Sequence, residues 1–296
     1  MTVAFPNAGP VKLRTNLADY AVTRALKSGE VASDLVGFDF AGPKEAYEGF
    51  KPMVREGAFD AGELAIVTYL QARIYGKPLV LLPAVMLGRF QHAYAIYNGE
   101  RGTIGSGDLK GKRVGIRSFT TTTGAWIRGI LANDYDVDLE SIHWITFEDP
   151  HVAEYHDTAG RAPKDKNIIE MLLNGELDAV LGETSNDPRL KPLFPDPAAE
   201  AGRWFAQHQV VPVNHLVVVT EELARERSQI VRKIYDLFKQ SKAMAGQPAT
   251  PDPVPFGVEA NRKSLQLIID YAAQQSLIPR RFSVEELFDE TTRGLV

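Results

Sequence analysis

Hydrophobic and polar positions along the chain alternate in short strand-like runs, which are separated by segments with helical spacing. Strand patterns cover residues 11–14, 35–40, 59–65, 79–82 and 92–97, and helical patterns cover residues 23–27, 43–54 and 67–75. Strands that alternate with helices are typical of parallel α/β sheets. The first third of the chain is therefore predicted to form one α/β unit.

A polar, glycine-rich break at 98–108 is followed by the same alternation. Strands are predicted at 112–116, 142–145, 177–181 and 216–219, and helices at 124–133 and 168–174. The rest is predicted to be helical, apart from a loop at 247–255 that contains four prolines. This order predicts an α/β fold with two lobes and a ligand cleft between them. Lobe one is expected to comprise residues 1–97 and 214–296, lobe two residues 98–213, and the crossings to lie near 91–98 and 210–216.

Composition excludes several classes of protein. The 296 residues are 44% hydrophobic and 24% charged, as in globular proteins, and the net charge of −5 argues against binding to nucleic acid or an anionic membrane. The absence of cysteine excludes disulfides, thiolate metal sites and cysteine nucleophiles. Residues Met1–Asn7 lack the features of a signal peptide, and the longest apolar stretch, 78–87, is too short to span a bilayer. We expect a cytoplasmic protein, or a periplasmic one if a signal peptide has been removed, and a homo-oligomer remains open.

Three segments carry a family resemblance: DLKGKRVG at 108–115, WIRGIL at 126–131 and LLNGELDA at 172–179. With RFQH at 89–92 and VPVNH at 211–215, they resemble the 4,5-dihydroxyphthalate decarboxylase family, a non-transport branch of the type II periplasmic-binding-protein-like superfamily. The resemblance implies a two-lobed fold and a decarboxylase, free of cofactor, for a small hydroxyaromatic or heteroaromatic acid, as in the breakdown of aromatic compounds. Two alternatives stay open: the solute-binding protein of an ABC importer for a small organic anion, and a cytosolic ligand sensor.

A hydroxyl-rich turn and two arginines are the candidate anion-binding groups. The turn contains Ser118, Thr120, Thr121, Thr122 and Thr123 and precedes a predicted helix. Unpaired amides and the dipole at a helix N-terminus favour a carboxylate there, although one threonine as a simple helix cap would also explain the pattern. Arg89 and Arg117 could hold a carboxylate through planar, paired hydrogen bonds, or form surface ion pairs.

His92 and His215 are the candidate proton donors because they lie at the two predicted crossings. Decarboxylation of an aromatic ring requires an acid that protonates the carbon bearing the departing carboxylate, and histidine can supply that proton near neutral pH. Each could instead be a buried histidine with a backbone partner. Glu183 is a further catalytic candidate, since it follows a predicted lobe-two strand, where ligands bind in α/β sheets. The same reasoning adds these substrate-binding candidates: Asn16, Tyr20, Glu63, Thr184 and Asn214.

The segment His151–His156 contains two histidines and a glutamate, residue types that can bind a metal. It is neither H-E-x-x-H nor H-x-x-E-H, and extended backbone would place its two histidines on opposite faces. We expect a polar loop bordering the cleft and no tightly bound metal, with a loosely held divalent ion left open. The chain contains no phosphate loop, no G-x-G-x-x-G after a strand and no G-x-S-x-G, which argues against nucleotide cofactors, flavins and serine hydrolysis. The resemblance implies no cofactor and a small anionic aromatic ligand.

Overall fold

The computed structural model describes residues 9–296, which form two β-sheets flanked by helices. Residues Met1–Asn7, on which the signal-peptide prediction rests, lie outside the described residues. The strands are β1 (Val11–Asn16), β2 (Val36–Asp39), β3 (Ala61–Ala65), β4 (Leu79–Gly88), β5 (Ala95–Asn98), β6 (Arg113–Ile116), β7 (His143–Thr146), β8 (Gly160–Arg161), β9 (Ala179–Leu181), β10 (Leu190–Pro192) and β11 (Val213–Thr220).

The α-helices are α1 (Arg24–Ser28), α2 (Phe50–Glu56), α3 (Ile66–Ile74), α4 (Thr122–Asp134), α5 (Ile168–Asn174), α6 (Pro197–His208), α7 (Glu221–Glu226), α8 (Ser228–Met244) and α9 (Val258–Gln274). Short 3₁₀ helices occur at Ala21–Thr23, Ala46–Gly49, His92–Tyr94, Gly99–Arg101, Leu139–Ser141 and Val284–Leu287. None of the helices within residues 9–296 combines the length and the apolar character that a membrane span requires.

Each sheet contains one strand that runs against its neighbours. The first sheet has the order β2-β1-β3-β11-β4, and the second has the order β10-β5-β9-β6-β7-β8. β11 pairs antiparallel with β3 and β4, and β5 pairs antiparallel with β9 and β10. β5 is the first strand after the chain enters the second sheet, and β11 is the first strand after the chain returns to the first sheet. The expectation of wholly parallel sheets is therefore wrong at these two strands, and the two-lobed α/β fold is confirmed.

The first crossing is shorter than the sequence suggested. β5 belongs to the second sheet, so the chain has already crossed at Ala95, and residues 95–97 are not part of lobe one as predicted. The 3₁₀ helix His92–Tyr94 occupies the place of the expected strand, and the return crossing lies between α6 and β11. The C-terminal helices also contact both lobes, since α9 packs on α4 of the second lobe, with the rings of Tyr271 and Trp126 5.7 Å apart.

The central strands and one edge strand of the first sheet, β3, β11 and β4, are almost wholly buried in lobe one, whereas β1 and β2 are partly exposed. Every residue of β3 is buried, as are the residues of β4 from Leu79 to Met86. The sequence predicted a strand over residues 79–82 only, whereas β4 continues through Pro83, which cannot donate a ladder hydrogen bond, to Gly88. The strand continues because its pairing with β11 shifts register at this point, and a proline is tolerated at such an irregularity.

Candidate active site

A cavity of about 1010 Å³ lies between the two sheets, at the carboxyl ends of the parallel strands. Ala65 at the end of β3, Arg89 after β4 and Arg117 after β6 line it. β11 runs in the opposite direction, so its first residues, including His215, reach the same edge. The polar and aromatic wall consists of Asp19, Tyr20, Lys44, Glu45, Tyr47, Glu48, Phe50, Lys51, Arg89, Arg117, Thr121, Thr122, Thr123, Glu148, His151, Glu183, Asn214 and His215.

A buried carboxylate orders a histidine at one side of the cavity. Glu63 is fully buried in β3, and its Oε2 lies 2.7 Å from Nδ1 of His215. The same oxygen accepts a hydrogen bond from the Tyr20 hydroxyl at 2.9 Å, and Oε1 accepts one from the Ala18 amide at 2.7 Å. A carboxylate only accepts hydrogen bonds, so we assign the proton of this contact to Nδ1 of His215. The second ring nitrogen, Nε2, is left for a ligand, since no hydrogen bond within residues 9–296 engages it.

The hydroxyl of Tyr20 stays protonated across the physiological range. Burial raises its pKa, and the negative charge of Glu63 raises it further. Tyr20 therefore acts as a fixed hydrogen-bond donor to Glu63 and helps to hold the orientation of His215.

The N-terminus of α4 places unpaired hydrogen-bond donors in the opposite wall, and we call this group the anion subsite because such donors suit an anion. The first-turn amides of this helix have no partner within it, and Thr121 at the N-cap leaves its hydroxyl buried and unbonded. Thr123 accepts hydrogen bonds from Asn214 Nδ2 at 3.1 Å and from Arg89 Nη2 at 3.4 Å. The guanidinium of Arg89 lies over the ring of Tyr94, 3.8 Å from its centroid, and its Nε is buried without a partner. A carboxylate accepts hydrogen bonds, so these unpaired donors are suited to bind one.

Arg117 lies in a more polar part of the cavity. Its Nε is 3.9 Å from Glu148 Oε1, and Lys51 of lobe one reaches the other oxygen of that carboxylate at 3.7 Å. The ring of Tyr47 lies 4.6 Å from the guanidinium carbon of Arg117. Glu183 is half-buried nearby, and burial raises the pKa of its carboxyl. Glu183 is thus closer to neutrality than an exposed glutamate.

His151 lines the cavity, although the sequence analysis treated its segment only as a bordering loop. It is 5% exposed, its Nδ1 lies 2.7 Å from Thr68 Oγ1, and its ring meets Phe50 edge-on at 5.6 Å. The ring of His215 packs on the same Phe50 at 5.0 Å. Burial and the positive charge of Arg117 lower the pKa of His151 to about 3, so its imidazole is neutral. The signal available in the sequence was its position in the loop that follows a lobe-two strand.

His92 does not line the cleft, in contrast to the sequence-based expectation. Its side chain is 1% exposed and packs edge-on against Phe194 and Trp204, at 5.0 and 6.3 Å between ring centroids. Both ring nitrogens are buried without a hydrogen-bond partner, and burial lowers the pKa of the ring to about 4. The 3₁₀ helix that replaces the expected strand turns this residue into the core of lobe two.

Several other candidates lie outside the cavity lining. Asn16 is fully buried, and its Nδ2 donates to the carbonyl of Ala46 at 2.9 Å, so it supports the rim of the cleft. Ser118 and Thr120 are buried in the turn before α4 and contact each other at 3.3 Å. Thr184 is exposed, and Glu63 lies behind Tyr20 and His215. The candidates that line the cavity are Tyr20, Arg89, Arg117, Thr121, Thr122, Thr123, Glu183, Asn214 and His215.

The described part of the chain offers no group of three or more His, Cys, Asp or Glu side chains placed to hold a metal ion. His151 and His156 do not share a site, because His151 lines the cleft and His156 lines a different cavity.

Solved structures with the same architecture define the class of fold. The periplasmic aliphatic sulphonate-binding protein SsuA from Escherichia coli superposes with a TM-score of 0.60 at 13% identity, covering 96% of this chain and 99% of that one. The desulfurization enzyme DSZB superposes with a TM-score of 0.55 at 12% identity, over 95% of this chain and 97% of that one. The chain has the periplasmic-binding-protein fold, which is found in both a binding protein and an enzyme.

Sequence similarity relates the chain to particular proteins. The chain is similar to 4,5-dihydroxyphthalate decarboxylase of Comamonas testosteroni, with 28% identity over 282 residues that cover 87% of this chain and 84% of the relative. The decarboxylase of the same name from Pseudomonas putida is 28% identical over 221 residues, covering 66% of this chain and 82% of that protein. No protein-family model matches the chain. The resemblance noted in the sequence is thus confirmed by similarity over most of the chain.

Proposed function

We propose that this protein is a decarboxylase of a small hydroxylated aromatic carboxylic acid. The observation that carries the proposal is the pairing of His215 with buried Glu63 in a cleft that also holds the anion subsite at α4. One wall offers an oriented proton donor, and the other offers Arg89 and Thr121 to a carboxylate. Similarity to two 4,5-dihydroxyphthalate decarboxylases supports a dicarboxylate of this type as substrate.

In the proposed reaction, His215 transfers a proton from Nε2 to the ring carbon that bears the departing carboxylate. The bond between that carbon and the carboxylate then breaks, its electron pair returns to the ring, and carbon dioxide leaves. A hydroxyl para to this carbon stabilises the protonated ring by donating electron density. His215 regains a proton from water, so the net change is consumption of one proton and release of one carbon dioxide. Glu63 stabilises the charged imidazole before transfer, as carboxylate partners of catalytic histidines do.

The remaining groups of the cleft orient the substrate in this proposal. The carboxylate that is retained binds at the N-terminus of α4, between Thr121 and Arg89. Neutral His151 accepts a hydrogen bond from a ring hydroxyl, and Glu183 engages the second hydroxyl. A buried neutral imidazole suits this role because it accepts from the hydroxyl without repelling the positive charge that His215 carries before the transfer.

The fold itself favours a second candidate, a binding protein for a small organic anion, because SsuA has the same architecture. The α4 subsite would serve binding without chemistry. The two candidates differ in what they require of His215, since a binding protein needs only its contact with the ligand.

Incubation of the purified protein with 4,5-dihydroxyphthalate tests the proposal. We expect stoichiometric release of carbon dioxide and formation of the monocarboxylate that retains both hydroxyls. Phthalate is the matched control, because it keeps both carboxylates and lacks the activating hydroxyls, and it should bind without reacting. Tight binding of both acids with no carbon dioxide from either would support the binding protein instead.

A further inference from the structure

A second cavity of about 730 Å³ shares no lining residue with the cleft. It lies beside β7 and the segment 155–160, and its wall includes the aromatic side chains of Phe119, Trp144 and Tyr155. Its one arginine, Arg128 of α4, is also part of this wall. The cavity therefore combines aromatic surface with a single guanidinium.

The guanidinium of Arg128 is fully buried and forms no salt bridge within the described residues, although the charge of Asp157 in the same cavity acts on it. Nη2 donates to the carbonyl of Phe119 at 2.7 Å, and Nε donates to Gln275 Oε1 at 2.8 Å. The third nitrogen, Nη1, is buried without an acceptor, and no carboxylate within residues 9–296 forms a salt bridge with this residue. Asp157 interacts with Arg128 only through space, so Nη1 still lacks an acceptor, and a buried donor of a charged group is costly to leave unpaired.

Neighbouring aromatic rings stabilise the charge only in part. The guanidinium carbon lies 4.0 Å from the centroid of Phe119 and 5.6 Å from that of Trp144. Such contacts offset only part of the cost of burying a charged group. Burial lowers the pKa of Arg128 to about 9, so the side chain remains charged at neutral pH.

We propose that this cavity binds a small organic monocarboxylate, with its carboxylate on Nη1 of Arg128 and its apolar body against Trp144 and Phe119. Arg128 supplies one positive charge, which suits the single negative charge of a monocarboxylate. Two acidic residues also line the cavity: Asp157, which Arg161 engages at 3.2 Å, and exposed Glu140. These carboxylates repel any anion, and they repel a dianion such as phthalate or phosphate more strongly than a monocarboxylate. The proposal does not depend on the chemistry in the cleft.

Titration with benzoate, followed by the indole N–H resonance of Trp144, tests this site. The resonance is assigned with Trp144→Phe, and the other tryptophans, Trp126 and Trp204, lie outside this cavity and serve as internal references. Benzoate should shift the Trp144 signal in a saturable way with a dissociation constant in the low millimolar range. Benzamide, which has the same shape without the charge, should bind at least about tenfold more weakly. Equal effects of the two ligands, or no saturable shift with benzoate, would overturn the proposal.

Two variants separate this cavity from the cleft. Arg128→Met should weaken benzoate binding at Trp144 by at least about tenfold, whereas Arg89→Ala should leave it unchanged. Should Arg128→Met fail to fold, Gly160→Leu decides the question, because it adds a side chain beside Trp144, where a Cβ meets only the Trp144 carbonyl at 3.5 Å. Gly202→Leu, at an exposed position outside both cavities, is its matched control. Benzoate binding by Gly160→Leu that matches the control would refute the site.

Discussion

At the scale of single residues, the cleft is defined by polar groups that the protein orders and by others that it leaves unpaired. Glu63 has donors on both oxygens, and its partner His215 keeps one nitrogen free for a ligand. In the opposite wall, the Thr121 hydroxyl and Arg89 Nε are buried without partners. Buried polar groups are normally satisfied, and these two line the cleft, so a ligand in the cleft could supply their missing partners.

The two cleft arginines should differ in their effect on ligand affinity. Arg89 is largely buried beside the α4 subsite, so Arg89→Ala should weaken phthalate binding by about 2–5 kcal/mol. Arg117 already shares Glu148 with Lys51 and is partly exposed, so Arg117→Ala should cost about 1 kcal/mol or less. Isothermal titration calorimetry measures both constants. A larger loss for Arg117→Ala than for Arg89→Ala would show that the carboxylate binds elsewhere in the cleft.

At the scale of secondary-structure elements, α4 connects the cleft to the packing of the C-terminal tail. Its N-terminus lines the cleft, and its middle packs on α9, where Gly129 lies against the ring of Tyr271. A Cβ at Gly129 would overlap that ring. The glycine therefore allows the close approach of the two helices and fixes the position of the anion subsite relative to lobe one.

Gly129→Ala should destabilise the protein by about 1–3 kcal/mol, because the added methyl group forces the two helices apart. The control is Gly202→Ala in α6, where the position is exposed and a Cβ meets no atom within 4 Å. This control should be neutral or stabilise by up to about 1 kcal/mol, since alanine favours helix over glycine. Urea unfolding gives both values. Unchanged stability in Gly129→Ala would mean that α4 and α9 are packed less closely than described.

The elements show what the sequence could and could not predict. The helix at 168–174 was placed correctly because Asn167 caps its start and Gly175 adopts a left-handed conformation at its end. Alternating strands and helices also predicted the two lobes. Two residues that were predicted to line the cleft do not, because tertiary contacts override the local pattern. The 3₁₀ helix turns His92 into the core of lobe two, and Asn16 donates to the carbonyl of Ala46 and so supports the rim of the cleft. His151 was missed because no local pattern shows that a loop of lobe two reaches Phe50 of lobe one.

At the scale of the whole molecule, side chains of lobe one reach across the cleft to the loop that carries His151. Arg55 of α2 donates to the carbonyls of Pro150 and His151 at 2.6 and 2.8 Å, and Lys77 pairs with Glu154 at 2.6 Å. These contacts hold the two lobes together around the cavity. Two-lobed folds of this kind close by hinge motion around a ligand, and these contacts are those that an opening motion would break.

The stability of the protein should fall as the pH drops below neutrality, and His92 should account for part of the loss. Its folded-state pKa of about 4 lies below the unfolded value of about 6.5, because burial disfavours the charged ring. Below pH about 6.5 the ring of His92 therefore binds a proton in the unfolded chain but not in the folded chain. Its contribution to the free energy of unfolding is present in full above pH about 6.5 and is lost as the pH falls toward 4. Between pH 7 and pH 5 this amounts to about 2 kcal/mol.

His92→Phe keeps a ring among Phe194 and Trp204 but cannot be protonated. Its free energy of unfolding should fall by about 2 kcal/mol less than that of the parent between pH 7 and pH 5, as measured by urea unfolding at each pH. Identical losses in both proteins would assign the pH dependence to other groups, of which His151 is the first, because burial lowers its pKa too.

The central claim is that His215, and not His92, donates the proton that replaces the carboxylate. The most direct test is single-turnover decarboxylation of 4,5-dihydroxyphthalate by the parent, His215→Asn and His92→Phe, with affinity measured separately by calorimetry. Asparagine keeps an N–H group that can donate to Glu63, but that group is not acidic enough to transfer its proton. We predict that His215→Asn slows the reaction about 10²–10⁴-fold with little change in affinity, and that His92→Phe retains the parent rate. A parent rate in His215→Asn, or an equal loss in His92→Phe, would contradict this account.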